Sequence, residues 1–358
     1  MELTTKQKEG FDLLYKFIQG KYNNPSHPNV FILDGFAGTG KSTLLSKFIS
    51  AVQTSYRCAI ITYTGKASQV LAKKGLPRAQ TIHSYLYNCT ENSKGELEYE
   101  LKDRIFFNED FVIVDESSFI SDDLYKDLIS RCKKLIFIGD SFQLSLNRSS
   151  ILDVVDFRLD EVLRFQGEIL DLAEKVRVNN YVPKADWVDW SEVANYDIMI
   201  CYKNSTRQML NLGYRRYILN KTGYISKGEK IMFLTNTKDL YIGEDLIMNG
   251  TVTELDADPI PRFYPNFVCF YYKNIYFYFG EKPMFIHKGM ISPRKLSDFD
   301  IRILPVAYAY AITCHKSQGS EWNNVLLVNE SKDPHYTYTG ITRAKDKIKV
   351  IFGVKKPQ

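Results

Sequence analysis

The sequence predicts an α/β protein with two parallel-sheet domains and two smaller β insertions. Short apolar runs alternate with helical stretches in two separate parts of the chain, and an aromatic-rich segment with turn signals interrupts the second part. Near-continuous apolar runs of this length are typical of strands that are buried on both faces. Their alternation with helices favours a parallel, doubly wound sheet in each part.

The first set of runs predicts the first parallel sheet. These runs cover residues 30–36, 57–63, 111–117 and 133–140. Residues 42–53, between the first two runs, have the apolar spacing of a helix. A short insertion at 86–108 holds Asn-Ser-Lys-Gly followed by the alternating residues 96–101. This pattern predicts one β-hairpin.

The second set of runs predicts the second parallel sheet. These runs cover residues 196–204, 303–312, 323–330 and 346–353. Residues 205–220 have a helical pattern and begin with Ser205, a residue type that favours the N-cap position. We therefore expect a helix that begins at Ser205 and packs on this sheet.

The segment 222–299 differs from both sheets in composition. It is rich in aromatic residues and carries two hairpin signals, Asn249-Gly250 and Lys273-Asn274. We predict a small β-barrel inserted into the second domain, with most of its aromatic side chains in the barrel core. The predicted organisation is a first α/β domain (1–85 and 109–157), a hairpin (86–108), a second α/β domain (158–221 and 300–358) and a β-barrel (222–299).

Composition narrows the class of protein. The 358 residues allow two to three domains, and 44% hydrophobic with 25% charged residues excludes a disordered chain. A net charge of +5 permits a polyanionic partner without requiring one. The six cysteines are scattered, which argues against a disulfide scaffold or a structural zinc site and favours a reducing, cytoplasmic location. The sequence has no apolar run long enough to span a membrane and does not begin with a secretory signal.

A phosphate-binding loop is predicted between the first strand and the first helix of the first sheet. Residues 35–42 match the pattern GxxxxGK[ST] in the strand–helix context that this pattern requires. The glycines allow backbone N–H groups to converge on a phosphate, and the helix N-terminus adds positive potential. Lys41 is expected to reach the β- and γ-phosphates, and the Ser42 hydroxyl is expected to ligate Mg²⁺.

An acidic pair, Asp115-Glu116, ends a later buried run of the same sheet. Asp115 in this position can hold Mg²⁺ through water, and Glu116 can orient or deprotonate an attacking water. The alternative is a helix-capping acidic pair. Because the acidic pair follows a phosphate-binding loop in the same sheet, the first interpretation is stronger, and it favours nucleotide hydrolysis.

Five further motifs occur in order along the chain. They are TYTGKAS (62–68), TIHSYL (81–86), FIGDSFQLS (137–145), ITCHKSQGSEW (312–322) and YTGITRAKDKI (338–348), with Gln7 before and Arg164 within this series. In this order they resemble a superfamily 1 DNA helicase of the 5′→3′ RecD/Dda branch, and most closely the phage Dda-type helicases. The resemblance runs from Gln7 to Arg343. TIHSYL and HKSQGSE are the motifs that indicate this branch.

The resemblance implies a fold, ligands and a set of site residues. It implies two RecA-like domains, an SH3-like barrel, a hairpin that acts as a strand-separating pin, ATP and Mg²⁺. Partners would be single-stranded and forked duplex DNA, with single-strand-binding or replication proteins as further candidates. The chain would be a cytoplasmic monomer, in the host cytoplasm if it is phage-encoded. The implied catalytic residues are Lys41, Asp115, Glu116, Gln143, Arg164 and Arg343. Nucleotide contacts are Gln7, Gly35, Gly38, Gly40, Lys41, Ser42, Thr43, Gly319 and Glu321, and Mg²⁺ ligands are Ser42 and Asp115. Nucleic-acid contacts are Tyr63, Thr64, Lys66, Thr81, His83, Tyr99, Thr313, His315 and Ser317.

Several of these roles come from the family and have alternatives. Gln7 would read adenine and Gln143 would sense the γ-phosphate, while Arg164 and Arg343 would face the phosphate from the second domain. Family members often have Pro-Thr where this chain has Tyr63-Thr64. Tyr63 therefore has two possible roles: its ring stacks on a base of the nucleic acid, or it merely packs against other side chains. His83 and His315 have a second reading as buried, hydrogen-bonded histidines. The hairpin, with Tyr99 or Leu97 against the last base pair, has a second reading as a surface hairpin.

Three functions are consistent with these motifs. The first is an ATP-dependent 5′→3′ DNA helicase or translocase that acts in replication, repair or recombination. The second is a single-strand-stimulated ATPase that mainly displaces bound proteins. The third is a small-molecule kinase with a phosphate loop, which leaves Gln143, Arg164 and the second α/β domain unexplained.

Overall fold

The structure is a computed structural model. It describes residues 2–22, 24–73, 75–76, 79–91, 97–145, 149–164, 167–237, 240–242, 245–264, 267–279 and 303–355. Within these ranges no helix combines the length and the apolar character that crossing a membrane requires.

The helices and strands follow in chain order. The helices are α1 (Thr5–Ile18), α2 (Lys41–Val52), α3 (Gly65–Lys73), α4 (Ile82–Leu86), α5 (Asp122–Arg131), α6 (Glu168–Asn179), α7 (Trp190–Val193), α8 (Asn204–Tyr217), α9 (Cys314–Ser317) and α10 (Pro334–Ile341). The first strands are β1 (Val30–Gly35), β2 (Cys58–Thr62), β3 (Gln80–Thr81), β4 (Tyr87–Glu91), β5 (Leu97–Leu101), β6 (Phe111–Asp115), β7 (Leu135–Gly139), β8 (Phe157–Leu159), β9 (Asp186–Val188) and β10 (Ile198–Cys201). The later strands are β11 (Lys230–Phe233), β12 (Tyr241–Ile242), β13 (Asp245–Leu246), β14 (Val252–Glu254), β15 (Ile260–Tyr264), β16 (Phe267–Tyr272), β17 (Ile275–Phe279), β18 (Ile303–Tyr308), β19 (Ala311–Thr313), β20 (Trp322–Val328) and β21 (Ala344–Val354).

The chain divides into two compact units. Unit 1 contains residues 1–183 and 332–346, and unit 2 contains residues 184–331 and 347–358. This division differs from the sequence-based one, which gave residues 158–183 and 332–346 to the second α/β domain. The difference arises because α6 and α10 pack against each other and because α10 is hydrogen-bonded to loops of the first sheet.

Unit 1 is built on the predicted parallel sheet. Its strand order is β3-β2-β6-β7-β1-β8, and the strand pairs in it are parallel. Successive residues of β1 enter different cores, because side chains alternate between the faces of a strand. Phe31 and Leu33 pack in one buried cluster, whereas Val30 and Ile32 pack in the other. Burial on both faces explains why these strands appear as continuous apolar runs in the sequence.

The predicted hairpin at 86–108 is present as strands β4 and β5. They pair antiparallel, with Cys89 opposite Tyr99. The Tyr87 hydroxyl donates to Asp127 at 2.5 Å, and this bond holds the base of the hairpin against α5. The tip, residues 92–96, and the side chain of Leu97 lie outside the described residues, so the proposed contact of Leu97 is not addressed by the structure.

Unit 2 contains the second predicted sheet, which has five strands in the order β19-β10-β20-β21-β9. Strand β10 is parallel to β19 and β20, and β21 is parallel to β9. The predicted helix on this sheet begins at Asn204 rather than Ser205, and its N-cap is Lys203. Among the described residues no side chain caps the first turn of this helix, and the Glu330 carboxylate accepts hydrogen bonds from the Tyr202 and Lys203 amides just before it.

The aromatic-rich segment supplies five strands of a six-stranded sheet in the order β14-β11-β18-β17-β16-β15, and β18 comes from the chain after it. The predicted Lys273-Asn274 turn is confirmed: both residues have positive φ, and the flanking Tyr272 and Ile275 are paired across β16 and β17. The structure corrects the interpretation of 303–312 as one strand of the parallel sheet. Residues 303–308 form β18 in the six-stranded sheet of the aromatic-rich segment. The chain leaves that sheet at the bend 309–310, so only β19 joins the parallel sheet of unit 2.

A buried ion pair gives a stability prediction for unit 2. The Arg215 Nε and Glu229 Oε1 atoms are 2.5 Å apart, with side chains 6% and 0% exposed. Replacing Arg215 with methionine removes the nearest countercharge of the buried Glu229 and leaves only Lys221 Nζ, at 3.9 Å, so we expect the free energy of unfolding to fall by about 3–5 kcal/mol. Chemical denaturation followed by tryptophan fluorescence measures this directly, because Trp187, Trp190 and Trp322 all lie in unit 2.

The matched control is the half-exposed pair Lys349–Glu192 of the same unit. Lys349→Met should cost less than about 1 kcal/mol, since water stabilises the exposed carboxylate that remains. An equal loss in the two variants would contradict the assignment of the Arg215 effect to burial.

Candidate active site

The phosphate loop lies between β1 and α2, where the sequence places it. Gly38 and Gly40 have φ values of 81° and 80°, in the left-handed region that favours glycine. A Cβ atom on Gly40 would lie 2.3 Å from the Gln7 side-chain nitrogen, so the close approach of Gln7 also requires glycine there. Gly40 is the N-cap of α2, and the predicted Ser42 and Thr43 stand in the first turn of that helix. This places the positive end of the helix at the loop.

Lys41 extends back over the loop. Its ammonium nitrogen lies 2.5 Å from the Gly35 carbonyl oxygen and 3.0 Å from that of Phe36. Burial lowers the pKa of Lys41, and the carboxylates of Asp140 and Asp115 oppose that shift. A buried cation among carboxylates is suited to neutralise phosphate oxygens, and this is the role predicted for Lys41.

Ser42 and Asp115 are the predicted Mg²⁺ ligands. Ser42 is half-buried in α2, and Asp115 is the last residue of β6. The described residues contain no cluster of three or more His, Cys, Asp or Glu side chains that would form an all-protein metal cage. A hydroxyl and a carboxylate fit Mg²⁺ instead, because this ion usually takes one or two protein oxygens and completes its shell with phosphate and water.

Glu116 is held in an unusual backbone conformation directly after β6. Its φ is 57°, in the left-handed region, and its Oε2 accepts a hydrogen bond from the Thr64 hydroxyl at 3.4 Å. Burial and the charge of Asp115 raise the pKa of Glu116 to about 7, while Arg343, the Thr64 bond and Lys66 oppose that rise. A buried carboxyl group with such a pKa is suited to accept a proton from water. The structure therefore brings the proposed base into contact with Thr64, a residue of the motif predicted to bind single-stranded DNA.

Gln143 follows Asp140 at the end of β7. The Gln143 amide nitrogen lies 3.4 Å from Asp140 Oδ2, and the same oxygen accepts a hydrogen bond from the Tyr338 hydroxyl at 3.0 Å. Tyr338 also accepts a hydrogen bond from the Ala37 amide of the phosphate loop. Sequence reasoning missed Tyr338. Its only signal is its position five residues before Arg343 in the same motif.

The two predicted arginines lie in unit 1, whereas the sequence-based division gives them to the second α/β domain. Arg343 is 4% exposed at the end of α10, and its charge lowers the pKa of Glu116. Arg164 is exposed, and its charge lowers the pKa of Lys41. The physical reason is local packing, since α10 is bonded to residues of the phosphate loop and of the segment after β7.

Gln7 is buried against the phosphate loop. It forms a capping box with Thr4 at the start of α1, and its side-chain nitrogen donates to the Thr39 carbonyl at 3.1 Å. These bonds fix the amide beside the loop. Recognition of the adenine base of ATP by Gln7 stays a prediction.

Three of the residues predicted to contact nucleic acid in unit 1, Tyr63, His83 and Tyr99, form a row of aromatic rings. Tyr63 stacks on Phe119 with ring centroids 5.0 Å apart, and its edge meets His83 at 6.2 Å. The His83 ring lies 6.0 Å from that of Tyr99, which is 54% exposed on the hairpin. Thr81 does not join the row, because its hydroxyl caps α4. One face of Tyr63 therefore packs on Phe119, and the stacking of Tyr63 on a base stays a prediction.

The predicted contacts of unit 2 lie around α9. Thr313 is its N-cap residue and is buried, and the Ser317 hydroxyl donates to the Cys314 carbonyl at 2.7 Å. His315 Nε2 is buried and has no hydrogen-bond partner among the described residues. Gly319 and Glu321 follow this helix, with Gly319 in the left-handed region at φ 70°. The DNA and nucleotide contacts assigned to these residues stay predictions.

Two family models match the chain. Residues 22–147 match the model described as an AAA domain, and residues 308–351 match the UvrD-like helicase C-terminal domain. These segments contain the phosphate loop, the acidic pair and the Arg343 motif.

Curated relatives and solved structures are similar over most of this chain. The RecD subunit of the RecBCD enzyme from Buchnera aphidicola is 24% identical over 92% of this chain and 71% of its own length. The conjugal transfer protein TraA of Agrobacterium fabrum is 22% identical over 90% of this chain, which spans 31% of that relative. A Pif1 structure described as unwinding at forked duplex DNA has a TM-score of 0.60 at 17% identity, covering 98% of this chain and 92% of that one.

A second Pif1 structure, from Bacteroides with ADP-AlF3 and single-stranded DNA, has a TM-score of 0.57 at 18% identity over the same shares of the two chains. At these identities, the solved structures show a common fold. The small-molecule kinase interpretation is set aside, because neither the second sheet nor the C-terminal match belongs to that class. In its ordered motifs, its two family matches and its fold, the chain is similar to superfamily 1 helicases of the RecD and Pif1 type.

Proposed function

We propose that the protein is an ATP-dependent DNA helicase that steps 5′→3′ along a single strand and opens duplex ahead of it. The observation that carries the proposal is the bond between Glu116 and Thr64. It joins the residue suited to activate water to a residue of the strand-contact motif. Binding of single-stranded DNA at Thr64 can therefore alter Glu116, the proposed general base. A motor that hydrolyses ATP only while it moves on DNA requires such a connection.

The proposed reaction uses the groups around the phosphate loop. Lys41 neutralises the transferred phosphate, Glu116 takes a proton from the attacking water, and Arg343 stabilises the developing charge. Ser42 and Asp115 hold Mg²⁺, which polarises the phosphate oxygens when it is bound. Gln143 is proposed to sense the γ-phosphate, and Arg164 to assist Lys41.

The strand contacts are proposed on both units. In unit 1 the exposed aromatic rings of Tyr63 and Tyr99 would stack on bases, with Lys66 and His83 near the backbone. In unit 2 the segment of Thr313, His315 and Ser317 would support a second grip. Forked DNA is the proposed substrate, and the 86–108 hairpin is the proposed pin. The cytoplasmic location, the monomeric state and the protein partners stay predictions.

The central test measures ATP hydrolysis with and without single-stranded DNA, together with unwinding of duplexes that carry a 5′ or a 3′ tail. We expect strand-stimulated hydrolysis and opening from the 5′ tail alone, because that polarity characterises the branch which the motifs resemble. Stimulation without opening would favour a translocase that displaces proteins. No stimulation, or opening from the 3′ tail, would refute the proposal.

The same assay tests the hairpin. Deleting residues 91–98 removes its tip and is expected to preserve strand-stimulated hydrolysis while slowing duplex opening. Unwinding that keeps pace with hydrolysis in the deleted chain would show that the hairpin is a surface element instead.

A further inference from the structure

The hydroxyl of Tyr338 joins the phosphate loop to the loop after β7. The Tyr338 side chain is 2% exposed, and its oxygen lies 3.0 Å from the Ala37 amide nitrogen and 3.0 Å from Asp140 Oδ2. Burial and the Asp140 carboxylate raise the pKa of Tyr338 well above its usual range, so the hydroxyl retains its proton. It therefore donates to Asp140 and accepts from Ala37. Loss of the hydroxyl would leave the buried Ala37 amide without this acceptor, while Asp140 Oδ2 would keep its contact with the Gln143 amide.

Further contacts fasten α10 to the loop of residues 140–144. The Leu144 amide donates to the Thr339 hydroxyl at 2.7 Å, and His335 Nδ1 lies 3.0 Å from the Phe142 carbonyl oxygen. The rings of Phe142 and His335 also pack with centroids 4.4 Å apart. These contacts come from His335, Tyr338 and Thr339, on two successive turns of α10, and fasten the helix to the loop.

The loop of residues 140–144 and the end of α10 carry two residues that are predicted to contact the γ-phosphate. Gln143 lies within the loop and contacts Asp140. Arg343 lies just beyond α10, and its Nε donates to the Thr339 carbonyl at 3.1 Å. Because Thr339 also binds the loop through its hydroxyl, a shift of the loop is transmitted to the arginine.

We propose that Tyr338 is a positioning residue for hydrolysis: its hydroxyl sets the Gln143 loop and the Arg343 helix against the phosphate loop, so that both groups reach the γ-phosphate together. The inference rests on the proposed function and deepens it. Tyr338 does not touch the phosphate itself and acts through Ala37 and Asp140.

The test replaces Tyr338 with phenylalanine, which keeps the ring and removes the hydroxyl. We expect kcat for strand-stimulated ATP hydrolysis to fall about tenfold or more, because small misplacements of catalytic groups lower the rate strongly. The KM for ATP should change less than about twofold, since the ligands of bound ATP remain. The matched control is Tyr125→Phe, also in unit 1, whose buried hydroxyl has no hydrogen-bond partner among the described residues. Tyr125→Phe should change neither constant.

Two further measurements separate positioning from a merely structural role. Hydrogen–deuterium exchange of the peptide that contains Ala37 should quicken in Tyr338→Phe and not in Tyr125→Phe. In a double-mutant cycle, Gln143→Ala should reduce kcat less in the Tyr338→Phe background than in the unchanged chain, because the two residues act as one unit. Fully multiplicative losses, an unchanged kcat, or unchanged exchange at Ala37 would each overturn the proposal. Absence of hydrolysis by the unchanged chain would refute the proposed function, and the Ala37 exchange would still decide whether the hydroxyl holds the two loops.

Discussion

Replacing Lys41 with alanine is expected to abolish strand-stimulated ATP hydrolysis. The ammonium group is the buried cation of the phosphate loop, and it bonds the carbonyl oxygens of Gly35 and Phe36. Its removal leaves the transferred phosphate without its main neutralising charge, so we expect a loss of at least about a hundredfold in kcat. Steady-state phosphate release in the presence of single-stranded DNA measures the effect.

Lys47→Ala is the matched control, because Lys47 is on the same helix and is exposed. It should hydrolyse ATP at the unchanged rate, which would show that the Lys41 effect is not a general loss of positive charge. A surviving strand-stimulated ATPase in Lys41→Ala would remove the phosphate loop from the proposed mechanism.

Glu116→Gln should still bind ATP and DNA but should turn over very slowly. Glutamine keeps the size of the side chain and retains an oxygen that can accept the Thr64 bond, yet it cannot take a proton from water. We expect kcat to fall by about a hundredfold to ten-thousandfold, the usual contribution of a general base. Single-turnover hydrolysis and ATP-dependent retention on single-stranded DNA are the two measurements, and retention should increase.

The control for this variant is Glu9→Gln, an exposed glutamate of α1. It should match the unchanged chain in both measurements. Near-normal turnover in Glu116→Gln would exclude Glu116 as the base, and loss of ATP binding would indicate that the carboxylate organises the site instead.

The sequence determined those features that depend on local order along the chain. The phosphate loop, Asp115-Glu116 and the strands beside them could be predicted because buried parallel strands require continuous apolar runs, and a phosphate loop requires glycine at fixed spacing. The Lys273-Asn274 turn was predictable for the same reason, since a two-residue hairpin loop demands residues that tolerate positive φ.

Other features depended on residues far apart in the chain. Helix α8 begins at Asn204 rather than Ser205, and the Glu330 carboxylate binds the Tyr202 and Lys203 amides before it, although no local pattern links residues separated by more than a hundred positions. Strand β18 joins the six-stranded sheet although its sequence resembles the strand that follows it. A uniform apolar pattern specifies burial but not the sheet in which a strand is buried.

The same limit applies to the candidate site. The sequence by itself predicted which residues would carry phosphate chemistry, because each motif places its own side chains on a strand end or a helix start. Only the tertiary structure decided their neighbours: the Thr64 hydroxyl on Glu116, and Tyr338 between Ala37 and Asp140. Those hydrogen bonds join segments whose approach is set by packing of the whole unit, and packing is a property of the folded chain rather than of any one motif.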